Sequence, residues 1–327
     1  MYASQRASGT LDHITITIAY DDHDAYDRRD HGMPEHAEYR IVSLIGEGGT
    51  GRVQLARDPA GRLVALKTVH ERLTAAPRFL ERFRREAAAA LRVRGPFTAT
   101  VFDAGTEDGQ SWLAAEFCVG PPIVETITTT GPLGPADLGT FGSAVAVALS
   151  AIHGAGPALL DLKPAHVLIT HRGPKIIDFG TAGRSAGLDP AGSGFLGFVA
   201  PELLVPGSRA DTPADVFALG ALLALSSTGR NPFGSGSAER VTERTLHDAP
   251  DLVGVPGAEW PGFLAACLAT APADRPSMPE ALAWCAERAA PVPWWEQEAA
   301  AGLISEYEEH LGELLAVSAG DGAATDR

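Results

Sequence analysis

The sequence predicts an α+β protein in which a β-rich part precedes a largely helical part. From Tyr39 onward the residues YRIVSLIGEGGTGRVQLARD indicate a strand, a glycine turn and a second strand. The first strong helical pattern, PRFLERFRREAAAALR, comes only afterwards, and beyond Pro121 and Pro122 most apolar residues recur at helical spacing. We therefore expect two lobes, the first β-rich with one main helix and the second mostly helical.

The individual elements follow from local patterns. RLVALKTV alternates like a strand, and TATVFDAG and SWLAAEFCV are two further strand-like runs. In the first main helix, Phe79, Phe83, Ala87 and Ala90 share one face at helical spacing. The later predicted helices are ADLGTFGSAVAVALSAIHGAG, DVFALGALLALSSTG, GFLAACLAT and MPEALAWCAERA.

Composition restricts the possible classes of protein. The 327 residues are 45% hydrophobic and 20% charged, which is enough to bury a sizeable core. A net charge of −15 argues against a general nucleic-acid binder, which would show clustered basic residues. Cys118, Cys267 and Cys285 form no paired framework, so we expect free thiols in a reducing cytoplasm.

Apolar segments give no sign of a membrane partner. No stretch approaches the roughly 18 uninterrupted apolar residues of a membrane helix. The longest, from Val216 to Leu225, is typical of a buried core helix. No basic region followed by an apolar run opens the chain. We expect a soluble, cytoplasmic protein.

Three segments are expected along the chain. Residues 1–35 are polar and are predicted to form a disordered arm; either Met33 is the natural start or the arm is real. Residues 36–290 form the main domain, with lobes at 36–118 and 119–290. Residues 291–327 hold an amphipathic helix and a frayed tail. The apolar stripe of this helix, within 303–315, either docks on the parent domain or binds a partner or a second copy.

A glycine-rich hairpin is the first motif with chemical meaning. Gly46, Gly48 and Gly51 form G-x-G-x-x-G, followed by Val53. A dinucleotide-binding fold would need a helix directly after these glycines, but VQLA indicates a strand. Glycines in a hairpin allow its backbone to approach the phosphates of a nucleotide.

Two charged residues follow at positions where a pair is expected. Lys67 ends the apolar strand VALK, where a lysine without a partner would be costly. Glu86 lies on the helix three residues after Phe83. A Lys67–Glu86 pair would neutralise both groups and direct the ammonium toward the α- and β-phosphates.

Two carboxylates and a lysine complete the predicted site. Asp178, in IIDFG, follows an apolar strand-like run and could hold Mg²⁺ against the phosphates. Asp161, in LLDLKPAH, could accept or orient the proton of an attacking hydroxyl. Lys163 could neutralise charge on the γ-phosphate in the transition state.

Taken in order, these motifs resemble those of a bacterial Hanks-type (eukaryotic-like) serine/threonine protein kinase. The resemblance covers roughly residues 39 to 288 and rests on the ordered set GEGGTGRV, VALK, REA, AEFCV, DLKP, IDFG, APE, ADVFALG and ADRPS. It implies a two-lobed kinase fold, with ATP and Mg²⁺ or Mn²⁺ as cofactors and a protein as substrate.

The resemblance also implies roles for single residues. Glu116 and Cys118 resemble hinge residues whose backbone binds adenine, which makes Ala115 an unusually small gatekeeper. Glu202 resembles the partner of Arg275. The implied catalytic residues are Asp161 and Lys163, and the implied metal ligands are Asp178 and His166. The implied nucleotide-binding residues are Gly46, Gly48, Gly51, Val53, Ala65, Lys67, Glu86, Glu116, Cys118 and Leu168. Asp215 resembles the aspartate that anchors the catalytic loop.

The catalytic loop departs from the family pattern at Leu159, Leu160 and His166, and the activation segment departs from it at Phe195. Leu159 replaces the usual His and could still pack on Phe179. Leu160 replaces the Arg that meets a phosphorylated activation loop, and Phe195 stands where the family usually has Thr. We therefore expect any activity to be independent of activation-loop phosphorylation.

His166 replaces the metal-binding Asn and bears most directly on activity. Imidazole nitrogen is a poorer ligand for Mg²⁺ than an amide oxygen. The chain could use the Asp178 metal alone, could prefer Mn²⁺, or could bind nucleotide without catalysis. The predicted function is thus a weak serine/threonine protein kinase, and the alternative is a pseudokinase that serves as a nucleotide-binding scaffold.

Overall fold

The structure is a computed structural model. It describes residues 39–48, 51–75, 77–107, 110–156, 158–177, 196–205, 207–208 and 211–324. The predicted disordered arm, Met33, Asp178, Phe179 and Phe195 lie outside the described residues.

The first lobe is a five-stranded antiparallel sheet with one long helix. The strands follow the spatial order β1-β2-β3-β5-β4. Their bounds are β1 Arg40–Gly48, β2 Gly51–Arg57, β3 Leu63–Val69, β4 Val101–Glu107 and β5 Gln110–Glu116. A short helix α1, Glu71–Thr74, precedes the main helix α2, Pro77–Ala90. The predicted apolar face of α2 is confirmed, because all four of its residues are buried.

The two faces of this sheet have different partners. The outer face holds a small cluster built around Ala56, Val64, Leu66, Trp112 and Ala114. The opposite face belongs to the main core, which includes side chains of α2. This alternation is expected of strands, in which successive side chains point to opposite faces.

The second lobe is mostly helical, as predicted. Its helices are α3 Ile123–Thr130, α4 Pro135–Ala155, α5 Pro201–Leu204, α6 Pro213–Thr228, α7 Ala238–His247, α8 Trp260–Cys267 and α9 Met278–Ala286. The central helices α4 and α6 pack on each other, and α4 also packs on α9. Val216 to Leu225 is buried throughout, which confirms the predicted core helix.

By length and composition alone, α4 could cross a membrane. Most of its apolar stretch is buried inside the protein, where it packs against α6 and α9. A core helix satisfies the same criterion, so this finding is weak evidence for a membrane span.

A hairpin lies between the catalytic motif and the IIDFG motif. It consists of β6 Val167–Thr170 and β7 Gly173–Ile176, and a 3₁₀ turn, Pro164–His166, precedes it. Ile176 donates its N–H to Phe97 O and accepts from Ala99 N, both at 2.9 Å. These bonds join the hairpin to the segment that leads into β4.

The last helix, α10 Glu298–Ala324, packs on its own domain. Ile304, Tyr307 and Leu311 of the predicted apolar stripe are buried, as are Trp294 and Trp295 just before the helix. Of the two interpretations of this helix, docking on the parent domain is the one that the structure bears out.

Candidate functional site

The glycine hairpin that the sequence predicts is formed by β1 and β2. Gly48 lies opposite Gly51 at the tip of β1 and β2, and Gly46 lies opposite Val53. A Cβ added to Gly51 would lie 1.9 Å from the carbonyl oxygen of Thr68 on β3. Only glycine therefore permits this approach of β2 to β3.

Four predicted site residues share one face of the sheet. Val53 lies opposite Lys67, and Ala65 lies opposite Ala115. Since Ala65 and Lys67 are two apart on β3, all four side chains point to the same side. Lys67 is only 6% exposed, as expected for a lysine inside this face.

Glu86 is half-buried on α2. Its carboxylate lies 3.8 Å from Nε of Arg82, one turn earlier on the same helix. Oppositely charged pairs at this i, i+4 spacing on a helix contribute about 0.2–0.5 kcal/mol to its stability. The Lys67–Glu86 pair stays a prediction.

The end of β5 is held to the second lobe by a charge pair that the sequence did not suggest. Both carboxylate oxygens of Glu116 lie 3.2 Å from Nζ of Lys175 on β7. The Glu116 carboxylate also accepts from Thr100 N, and the Glu116 backbone N–H donates to Thr100 O at 2.8 Å. Lys175 Nζ further donates to Thr98 O at 3.4 Å. We call this group the Glu116–Lys175 pair.

Cys118 is free and half-buried, two residues after Glu116. Burial, with the Glu116 charge as a smaller cause, raises the pKa of the Cys118 thiol from 9.0 to about 12. Cys267 and Cys285 are fully buried free thiols, as predicted.

The raised pKa predicts slow alkylation of Cys118. Because the thiolate is the nucleophile, iodoacetamide at pH 7.5 should label Cys118 about two to three orders of magnitude more slowly than a free cysteine. Mass spectrometry of the native protein would measure the rate, with the urea-unfolded chain as the control. Rapid labelling of native Cys118 would contradict the assignment.

Leu168 is buried on β6 and forms an isolated bridge with Pro122, just before α3. This bridge places Leu168, an implied nucleotide-binding residue, against the segment that joins the lobes. Gly120, at φ +151°, lies so close to Ile169 O that a Cβ there would clash.

Asp215 anchors the backbone of the catalytic loop, as the resemblance implied. Its fully buried carboxylate accepts from Leu159 N at 2.7 Å and from Leu160 N at 2.5 Å. His153 Nε2, which the sequence analysis did not single out, lies 2.7 Å from the same carboxylate. Leu160 has φ +59°, a left-handed conformation that side chains other than glycine rarely adopt. The two backbone bonds to Asp215 hold this strained turn directly before Asp161, and His153 contacts the same carboxylate.

His166 packs under the same loop. It is 4% exposed, and its Nδ1 lies 3.2 Å from Asp161 O and 3.9 Å from Asp161 Oδ2. Because a carbonyl oxygen can only accept, Nδ1 carries a proton, and in the neutral ring Nε2 then carries the lone pair. Asp161 itself has a half-exposed side chain.

The second predicted metal ligand is Asp178. Ile177, the residue before it, donates its N–H to His166 O at 2.9 Å. Within the described ranges, no three His, Cys, Asp or Glu side chains gather as a metal site. Asp178 itself lies outside these ranges.

A buried ion pair braces the helical lobe. Glu202 at the start of α5 binds Arg275 through two bonds, of 2.7 and 2.8 Å. The resemblance implied this pair, and the structure confirms it.

Comparison with protein-family models matches residues 39–284 to the protein kinase domain. The chain belongs to the protein kinase family.

The curated relatives of this chain include bacterial serine/threonine-protein kinases. The probable serine/threonine-protein kinase PkwA of Thermomonospora curvata is 36% identical over 249 residues, which are 75% of this chain and 33% of PkwA. The serine/threonine-protein kinase AfsK of Streptomyces coelicolor is 34% identical over 243 residues, which are 73% of this chain and 30% of AfsK. The chain therefore spans about a third of the length of these relatives.

Solved kinase structures agree with the fold. The kinase domain of Mycobacterium tuberculosis PknI is 30% identical, with a TM-score of 0.63, and the match covers 77% of this chain and 96% of that domain. The chain is thus a protein kinase of the bacterial Hanks-type serine/threonine class, with the two-lobed α+β fold that the sequence predicted.

Proposed function

We propose that this kinase transfers the γ-phosphate of ATP to a serine or threonine hydroxyl of a protein, without activation-loop phosphorylation. The observation that carries the proposal is the catalytic loop. Its backbone is fixed by the Asp215 carboxylate, which His153 also contacts, whereas the Asp161 side chain stays half-exposed. A fixed backbone with an accessible carboxylate suits a group that must meet a protein hydroxyl.

The chemistry follows from the residues around this loop. The substrate oxygen attacks the γ-phosphorus while the bond to the β,γ-bridging oxygen breaks, so ADP leaves with that electron pair. Asp161 orients the hydroxyl and takes its proton. Lys163 would balance charge on the transferred group, and Lys67 would bind the other phosphates. No arginine precedes Asp161 to bind a phosphorylated loop, which supports independence from such a switch.

The proposed nucleotide site joins both lobes. The hairpin glycines Gly46, Gly48 and Gly51 would cover the phosphates, and Val53, Ala65 and Leu168 would enclose the adenine ring. The backbone of Glu116 and Cys118 would bind the adenine edge. Glu86 would position Lys67.

Asp178 and His166 would hold the divalent metal. The metal supplies positive charge against the phosphate oxygens. Metal-bound histidines commonly donate their other ring N–H to a backbone carbonyl, and the Nδ1–Asp161 O bond has this form. The donor set of one carboxylate and one imidazole fits Mn²⁺ better than Mg²⁺.

This donor set predicts the effect of replacing His166. His166→Asn restores an oxygen ligand, so we expect the ratio of Mg²⁺-supported to Mn²⁺-supported turnover to rise about tenfold. Mn²⁺ binding in the presence of ADP, measured by electron paramagnetic resonance, should weaken in parallel. If neither this turnover ratio nor Mn²⁺ binding changes, His166 is not a metal ligand.

The remaining assignments concern the chain as a whole. We propose an N-terminal arm at 1–35, a kinase domain at 36–290 and a C-terminal helix with its tail at 291–327, in a cytoplasmic protein without nucleic-acid or membrane partners. A partner or second copy at 303–315 would have to use Leu303, Leu314 and Leu315, which are only half-buried.

Radiolabel transfer from ATP tests the proposed function. We expect label on the kinase itself or on a generic basic protein, in Mn²⁺ more than in Mg²⁺. If ATP raises the melting temperature but no label is transferred in either metal, the pseudokinase alternative replaces the proposal.

A further inference from the structure

The C-terminal extension, residues 291–317, contacts elements that meet between the two lobes. It comprises the buried pair Trp294 and Trp295 and the described side chains of α10. The family match ends at residue 284, so this segment lies beyond it. Its contacts fall on α3, on the β6–β7 hairpin and on the residues before β4.

The first contact holds α3, which begins directly after the segment that joins the lobes. Tyr307 Oη donates to Glu125 Oε2 at 2.6 Å. Burial, together with the Glu125 carboxylate, raises the pKa of the Tyr307 hydroxyl, so it remains a donor at all physiological pH values. Ile304 of α10 is fully buried in the same core as Ile123 and Ile127 of α3.

The second contact holds the β6–β7 hairpin. Gly173, at φ +102°, is so tightly packed that a Cβ would lie 3.1 Å from the Trp295 ring and 2.8 Å from the Phe97 ring. His171 Nε2, in the same turn, lies 3.5 Å from Glu308 of α10. Phe97 belongs to the segment whose backbone is bonded to β7.

Both contacts hold elements that themselves bind or pack against residues of the proposed nucleotide site. The hairpin carries Lys175, whose ammonium binds the carboxylate of Glu116 and the carbonyl of Thr98. Helix α3 packs against β6 and against the 3₁₀ turn that contains His166. The extension therefore touches the two supports of the adenine-binding segment, 116–122, but contributes no residue to the site itself.

We propose that the C-terminal extension is a positioning element for the nucleotide site, which holds α3 and the β6–β7 hairpin and thereby the segment 116–122. Tyr307, Ile304 and Trp295 are its positioning residues. This inference rests on the proposed function in one respect, that the segment 116–122 binds the adenine of ATP.

Two variants of the full-length chain test the proposal, with ADP and Mn²⁺ as the probe. Ile304→Asp places a charge in a buried site and should undock α10, so we expect the Kd for ADP to rise about tenfold. Tyr307→Phe keeps the ring and removes one hydrogen bond, so we expect about a threefold rise. Glu306→Ala, on the exposed face of α10, is the matched control and should leave the Kd unchanged.

Amide hydrogen exchange without nucleotide gives the second measurement. Exchange in α3 and in 116–122 should rise in both variants, while α4 and α6 stay protected. Glu125→Ala, which removes the acceptor, should reproduce the effect of Tyr307→Phe, and the double variant should add little, because both changes remove the same hydrogen bond.

The proposal is overturned if α10 exchanges freely in Ile304→Asp while the Kd for ADP and the exchange of 116–122 match the unaltered kinase. If Ile304→Asp does not fold, the Kd for ADP and the amide exchange of 116–122 in Tyr307→Phe test the proposal instead. If the unaltered kinase binds no ADP, the proposed function fails, but exchange in 116–122 still decides whether the extension holds that segment.

Discussion

Replacing Asp161 with asparagine is expected to lower the phosphotransfer rate about a thousandfold. Asparagine has nearly the same shape, but it cannot take the proton of the substrate hydroxyl. The backbone carbonyl of residue 161, which His166 Nδ1 binds, is unchanged by the substitution. Radiolabel transfer should therefore collapse, while the Kd for ADP stays within about twofold of the original.

The matched control is Asp248→Asn, an exposed aspartate after α7, far along the chain from the catalytic loop. It should keep full activity. Transfer that persists in Asp161→Asn would assign the proton acceptor to another group, and loss of ADP binding would indicate a damaged loop.

The second large effect is expected at Arg275. All five N–H donors of its buried guanidinium are engaged by Glu202 and by the carbonyls of Ala269, Thr270 and Pro213. Arg275→Met leaves the Glu202 carboxylate without its partner in a largely buried position. Breaking such a pair from one side costs about 3–5 kcal/mol of unfolding free energy.

Urea denaturation would measure this loss. Arg288→Met is the control, because its pair with Glu259 is exposed and is expected to contribute less than about 1 kcal/mol. Glu202→Leu combined with Arg275→Met should recover part of the stability. A loss for Arg275→Met no larger than that for Arg288→Met would contradict the role of the pair.

The strands and long helices could be predicted because their apolar periodicity is strong. Helix α3 could not, since its sequence IVETITTT is rich in β-branched residues, which favour strands. It is helical because Ile123 and Ile127 fit one face against the core. Helix α7 was also missed, because only Val241 and Thr245 of its ten residues are buried.

The motif residues of the candidate site could be predicted because each lies in a short run of residues with a distinctive sequence. The residues that hold those motifs in place could not be predicted. Lys175 is 59 positions from Glu116, and His153 is 62 positions from Asp215. A single lysine in a short strand, or a single histidine near the end of a helix, has no pattern that shows its partner. Only the fold brings these groups together.

The buried C-terminal extension also bears on how the chain is made. Trp294, Trp295, Ala300 and Ile304 belong to the same core as the central helices of the second lobe. A ribosome that has just translated residue 284 has completed the family-matching segment, but the nascent chain still lacks these four side chains. Since domains fold during synthesis as their residues emerge, this core is complete only after residue 304 has left the ribosome.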